Sequence, residues 1–192
     1  MGKGRVEAFS DGVIAIIITI MVLELKAPMG EHLHDLRPVL PAIAGYVLSF
    51  IYVGIYWTNH HHMLHLVRRV DGGVLWANLY QLFWLSMVPF VTAWMGEHPL
   101  ATAPTALYGF VLLMNALAFV VLQRSFLRLE GADSPLAKVL STGLKETISP
   151  ILYFAGIAAA FVFVPLSLAC YVAVAAIWII PDRRVERQLG MR

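Results

Sequence analysis

The sequence predicts an all-α integral membrane protein with six transmembrane helices, and three observations lead there. Hydrophobic residues make up 59% of the 192 residues and charged residues only 14%, against about 25% charged in soluble domains. Six apolar stretches reach or approach the ~20 residues that a spanning helix needs. The basic residues fall almost entirely in alternate connections, which is the asymmetry that orients membrane helices. The formal net charge of +2 is too small to point to nucleic acid. Cys170, the single cysteine, lies inside an apolar run, so no intrachain disulfide can form.

The stretches run over about 6–25, 40–66, 74–95, 105–127, 147–164 and 166–180. The first has no small-residue cleavage site before the next polar loop and reads as a retained helix, not a signal peptide. The connections between the first five are "KAPMGEHLHDLRP", "RRVDGG", "GEHPLATAP" and "RSFLRLEGADSPLAK". The run 148–180 fits either two helices or one kinked element. Pro165 favours two, with the turn around it.

An even number of spans puts both termini on one side. That side then carries Lys3, Arg5, Arg68, Arg69, Arg124, Arg128, Lys138, Lys145, Arg183, Arg184, Arg187 and Arg192, and the other only Lys26 and Arg37. Twelve against two places both termini in the cytoplasm. A five-helix arrangement would put the basic tail "RRVERQLGMR" outside. With no tandem repeat or low-complexity tract, residues 1–192 form one membrane domain.

Ionisable groups at membrane depth are expensive and mark functional candidates, unless they only join helices by hydrogen bonds. In the first helix, the uncharged segment from Gly12 to Leu23 holds 12 residues, or roughly 18 Å at about 1.5 Å per residue. The hydrocarbon core is about 30 Å thick, so Asp11 and Glu24 must approach a low-dielectric zone or a wet vestibule. The helix is therefore expected inside an assembly. At about 100° per residue, Gly12, Ile16, Thr19, Ile20 and Leu23 share one stripe. Asp11 points away from it, nearer Ile14 and Ile18. It is expected to be a paired carboxylate meeting other helices of its own chain; an ion- or proton-carrying role is the alternative.

The second helix carries "YWTNHHHMLH", where His61 and His65 are four apart and could chelate a metal on one face. No cysteine or carboxylate stands nearby in sequence to complete a site, and His60, His61 and His62 point in three directions. One or two histidines facing inward as hydrogen-bond partners is the favoured reading, with no metal assigned. Asn78 of the third helix lies at a depth similar to Asp11 and His60. Arg5, Ser10, Asp11, a second-helix histidine and Asn78 are thus expected as one cluster joining the first three helices. Trp57, Trp76, Trp84 and Trp94 read as interface anchors or packing.

Arg5-x-x-x-Phe9-Ser10-Asp11 matches the R-x-x-x-F-S-D signature that opens the first helix of the transmembrane protein 175 family, the lysosomal potassium channel and its prokaryotic relatives. "YWTNHH", "NLYQLFWLSMVPF" and six spans within the chain also resemble that family. The resemblance covers essentially the whole chain and is sharpest over residues 5–90. It implies potassium-preferring conduction with no cofactor and no catalysis. No "TVGYG"-like loop is present in this sequence. By resemblance, four subunits surround a central pore lined by the first helix, in the plasma membrane of a prokaryote. The stripe Ile16, Thr19, Ile20 and Leu23 would then face monovalent cations through a hydrophobic constriction. Selectivity at the isoleucine ring and at the threonine ring both remain open. The resemblance also implies a structural lock of Arg5, Phe9, Ser10 and Asp11 against the second and third helices, with His60 and Asn78 as partners. A histidine-rich metal-binding membrane protein and a proton-coupled transporter using Asp11 are the competing readings.

Overall fold

Helix boundaries follow from where proline, glycine and capping side chains interrupt the apolar runs. The computed structural model describes residues 2–131, 133–134, 136–137 and 144–179. Lys138 and the basic tail with Arg183, Arg184, Arg187 and Arg192 lie outside the described residues. Helix α1 is Lys3–Leu23, α2 is Leu40–Leu66, α3 is Gly72–Ser86 and α4 is Val88–Glu97. Helix α5 is Thr102–Glu130, α6 is Leu144–Ala160 and α7 is Val164–Ile179. Among the described residues there is no strand.

Helices α3 and α4 together make the third expected span. They are separated only at Met87, two residues before Pro89, whose ring cannot donate to the preceding turn. Carbonyls exposed by such a break must be satisfied inside the protein. Asn115 of α5 does this, donating from Nδ2 to the Trp84 carbonyl at 3.1 Å, while the Met87 N–H reaches the same oxygen at 3.2 Å. Six helical spans result among the described residues. Lys3–Leu23, Leu33–Leu66, Gly72–Glu97 and Thr102–Glu130 are long and apolar enough to cross a membrane. The last two helices, of 17 and 16 residues, are about 25 Å long. They pack on each other as a hairpin.

The sequence placed the last turn at Pro165, but the chain turns at residues 161–163 and Pro165 is the second residue of α7. Proline is tolerated in a first helical turn, where the N–H has no partner to lose. Two connections are also more helical than expected. A 3₁₀ segment Leu33–Val39 leads into α2, and α5 continues to Glu130 before Gly131, at φ 89°, ends it.

Helix α5 is the hub, packed on α3, α4, α6 and α7, whereas α1 packs mainly on α2, α3 and α4. Without a hydrophobic drive in lipid, helices are joined by close packing and internal hydrogen bonds. Both occur here. Ser49 Oγ lies 2.7 Å from Thr92 Oγ1 and 3.0 Å from Tyr108 Oη, linking α2, α4 and α5. Tyr52 donates to the Tyr171 carbonyl at 2.6 Å, and Tyr171 to the Thr105 carbonyl at 3.3 Å. The Tyr171 ring lies between Gly109 and Gly156, at neither of which is there room for a methyl group.

The helix ends are pinned on both sides. At the end bearing the N-terminus, the Arg68 N–H donates to Glu130 Oε1 at 2.8 Å. Asp71 caps α3 through Val74 N–H at 2.8 Å and meets Arg128 Nη2 at 3.5 Å. At the other end Lys26 pairs with Glu97, and that carboxylate holds the Lys26 ammonium above its ordinary pKa.

Candidate functional site

Three faces divide α1. Val6, Ser10, Ile14, Ile17 and Met21 recur every three to four residues and are buried against the neighbouring helices. Gly12, Ile16, Thr19, Ile20 and Leu23 are all exposed on the outer surface of the chain, Ile16 at 58% and Leu23 at 80%. Asp11 sits on the flank between them, half-buried. The separation of the stripe from Asp11 is thus as helix geometry requires.

The buried face carries a polar anchor. Asn78 of α3 holds its amide between α1 and α2, donating from Nδ2 to Ser10 Oγ at 3.0 Å. Its Oδ1 lies 2.7 Å from His60 Nε2. Because Oδ1 can only accept, His60 donates from Nε2–H. That tautomer leaves the buried Nδ1 of His60 without a protein partner. Ser10, His60 and Asn78 are each 3% exposed or less, so every bond in this chain of three is made in a low dielectric. There an unpaired polar group costs about 1–3 kcal/mol. The anchor therefore fixes both the rotation and the depth of α1 against α2 and α3.

Asp11 is held apart from that anchor. Its Oδ1 accepts from Trp57 Nε1–H at 2.9 Å, a charge-assisted bond from α2. Trp57 was read from sequence only as an anchor or packing residue. The available signal was its spacing, since Trp57 stands three residues before His60 and four before His61, on the side of α2 that meets α1. Of the five residues expected as one cluster, Ser10, Asn78 and His60 form the anchor, Asp11 pairs separately with Trp57 at similar depth, and Arg5 is in neither group.

Arg5 and Phe9 join neither. Both are exposed, Phe9 at 53%. Arg5 precedes Phe9, Gly12, Ile16, Thr19 and Leu23 along one side of the helix, at steps of three and four. The signature R-x-x-x-F-S-D is thus split by helix geometry. Its first two members belong to the exposed face, Ser10 to the buried face and Asp11 to the flank.

On the exposed face Thr19 donates its hydroxyl to the Ile16 carbonyl at 2.8 Å. The donor is used within the helix, and the oxygen lone pairs are left to the outside. Glu24, at the far end of α1, is exposed.

The family model described as endosomal/lysosomal potassium channel TMEM175 matches residues 5–89. A potassium channel of Chryseobacterium sp. (strain P1-3) is 51% identical over 98% of this chain and 98% of its own length. The crystal structure of a lysosomal potassium-selective channel TMEM175 homolog from Chamaesiphon minutus superposes with a TM-score of 0.77 at 30% identity, over 92% of this chain and 96% of that one. Rat TMEM175, named an endosomal/lysosomal proton channel, is 27% identical over 88% of this chain, which spans 34% of the rat protein. With an all-helical membrane fold, the signature at the head of α1 and relatives aligned over nearly their whole length, the chain is a prokaryotic member of the TMEM175 family of ion channels.

Proposed function

We propose that the chain is a potassium-preferring leak channel in which four copies surround a pore lined by α1. The observation that carries this reading is the exposed stripe Gly12, Ile16, Thr19, Ile20 and Leu23 on a helix whose other face is fixed by a buried anchor. A lipid-facing helix has no need of so exact a rotation. In the tetramer, rings of Ile16, Ile20 and Leu23 form a hydrophobic constriction that gates by dewetting. The Thr19 ring presents four lone-pair-bearing oxygens to a partly dehydrated K⁺. The isoleucine rings set the width, and the threonine oxygens supply the one cation-coordinating group in the stripe.

Arg5 and Phe9 then contact a neighbouring subunit, which moves their part of the structural lock from within the chain to between chains. Both termini face the cytoplasm of the plasma membrane. In support, Lys3, Arg5, Arg68, Arg69 and Arg128 gather at one end of the bundle, and Lys26 lies at the other.

Reconstitution into liposomes tests the reading. Reversal potentials under opposed K⁺ and Na⁺ gradients should lie on the K⁺ side, with current that does not saturate. Slow, saturable flux coupled to a pH gradient would instead identify a transporter. The name of the vertebrate relatives adds one arm, proton current under a pH gradient in the absence of K⁺.

A further inference from the structure

One cluster of ligating side chains is used neither by the anchor nor by the exposed stripe. His61 and His65 lie one turn apart on α2 with ring centroids 4.3 Å from each other. The carboxylate that the sequence around them lacks is brought by the fold, because α1 places Glu7 Oε1 3.4 Å from His61 Nδ1. One donor atom from each of Glu7, His61 and His65 lies within 4.8 Å of the other two. His65 Nδ1 turns to the His61 carbonyl at 3.3 Å, which leaves its Nε2 free to coordinate and fixes the tautomer that coordination needs.

We propose that Glu7, His61 and His65 form a site for a divalent transition metal of the Zn²⁺ class, clamping α1 to α2 at the end of the bundle that bears the N-terminus. Two imidazoles and one carboxylate, with a fourth position open to water, make a donor set that suits Zn²⁺. Mg²⁺ and Ca²⁺ require oxygen donors and are poorly served. Donor atoms about 2.0–2.2 Å from a tetrahedral ion lie roughly 3.3–3.6 Å apart, so small side-chain rotations close the site. Glu7 and His61 are half-buried and His65 is exposed, which gives the ion an aqueous route in. Lys3 Nζ stands 3.5 Å from the His65 carbonyl. Its long stem lets the ammonium withdraw into water. The clamp lies one turn from Ser10 and adds a second fastening to the helix that carries the stripe.

The test uses the untagged full-length protein in detergent, stripped with chelator and titrated with ZnCl₂ by calorimetry, with MgCl₂ as control. Metal binding is read without ion flux, so its failure is distinguishable from failure of the channel reading. A saturable site of about one Zn²⁺ per chain is expected. Glu7→Gln and His65→Ala should each weaken it at least ~10-fold. Zn²⁺ should raise the melting temperature of the wild type and not of His65→Ala, an exposed change that leaves the fold intact. His32 and His34, whose rings are 5.3 Å apart in the loop before α2, serve as the second control, and their joint replacement by Ala should leave binding unchanged. No saturable Zn²⁺ binding would overturn the proposal. So would affinity undiminished in both ligand variants, or affinity lost with His32 and His34.

Discussion

Asn78 is the side chain on which the seating of α1 depends, because a single amide serves partners on two other helices. Asn78→Ala leaves Ser10 Oγ and His60 Nε2 without the partners they have at 3.0 and 2.7 Å. Each is buried, so a loss of about 1–3 kcal/mol is expected for each orphaned group. Thermal unfolding in detergent checks this, and a melting temperature equal to that of the wild type would show that the anchor is dispensable. Asp11 and Trp57 form a separable pair. Trp57→Phe keeps an aromatic ring, though a smaller one, and removes the N–H that reaches Asp11 at 2.9 Å. Asp11→Ala removes the acceptor. A double-mutant cycle should therefore show a coupling of about 1.5–3 kcal/mol, the range for hydrogen bonds to a charged group. Additive losses would mean that Asp11 is held by something else. Ser10, Asp11 and Asn78 were legible from sequence because polar groups stand out in apolar runs, whereas His60 was singled out among the histidines only by the family resemblance. The pairing was not legible, because it depends on the rotation of α2, which brings Trp57 and not His60 to Asp11.

At the scale of the element, the sequence signals for helices read well and those for their ends read less well. The boundaries of α2 match the expected 40–66 because Pro38 and Pro41 bracket its start and its apolar run is unbroken. Pro165 misled because proline at the second position of a helix and proline in a turn look alike in one dimension. The break at Met87 was equally invisible, since its cost is met by Asn115, a residue 28 positions further on in α5. Asn115→Leu keeps the branched heavy-atom skeleton and strips both donor and acceptor, leaving the Trp84 carbonyl with only the Met87 N–H and the Gln81 amide, 3.5 Å from Asn115 Oδ1, without its partner in α5. A loss of about 1–3 kcal/mol follows. Limited proteolysis should show cleavage near residues 86–88 that the wild type resists; equal resistance would mean the break is supported within its own span. The tight seat of the Tyr171 ring belongs to this scale as well. Gly109→Ala places a methyl group on the Tyr171 hydroxyl, and such overpacking costs about 1–3 kcal/mol.

For the whole molecule, the exposed face of α1 is the feature that a single chain leaves unexplained. Ile16, Ile20, Leu23 and Phe9 are between 41% and 80% exposed, along a helix that carries Asp11 about two turns in from its start and Glu24 at its C-terminal cap. With this face in lipid, Glu24 and the flanking Asp11 would both border hydrocarbon, where a charge costs a few kcal/mol. Around the proposed shared axis the same face would line a narrow path with water at both mouths, and the carboxylates would stay wet. Electrostatics thus favours the proposed tetramer over a single chain in lipid. Its prediction is directional. Ile20→Asn replaces one ring of the constriction by four hydrogen-bonding amides, which keep the path wet. K⁺ flux from liposomes should rise and K⁺ preference over Na⁺ should fall, with native mass spectrometry still showing four chains. Phe9→Ala, on the same face but outside the constriction, should lower the share of tetramer and leave the preference of the remaining channels as it was. If Ile20→Asn leaves both flux and preference unchanged in an intact tetramer, the ion does not pass α1. The exposed stripe must then be covered by something other than its own copies in the ring.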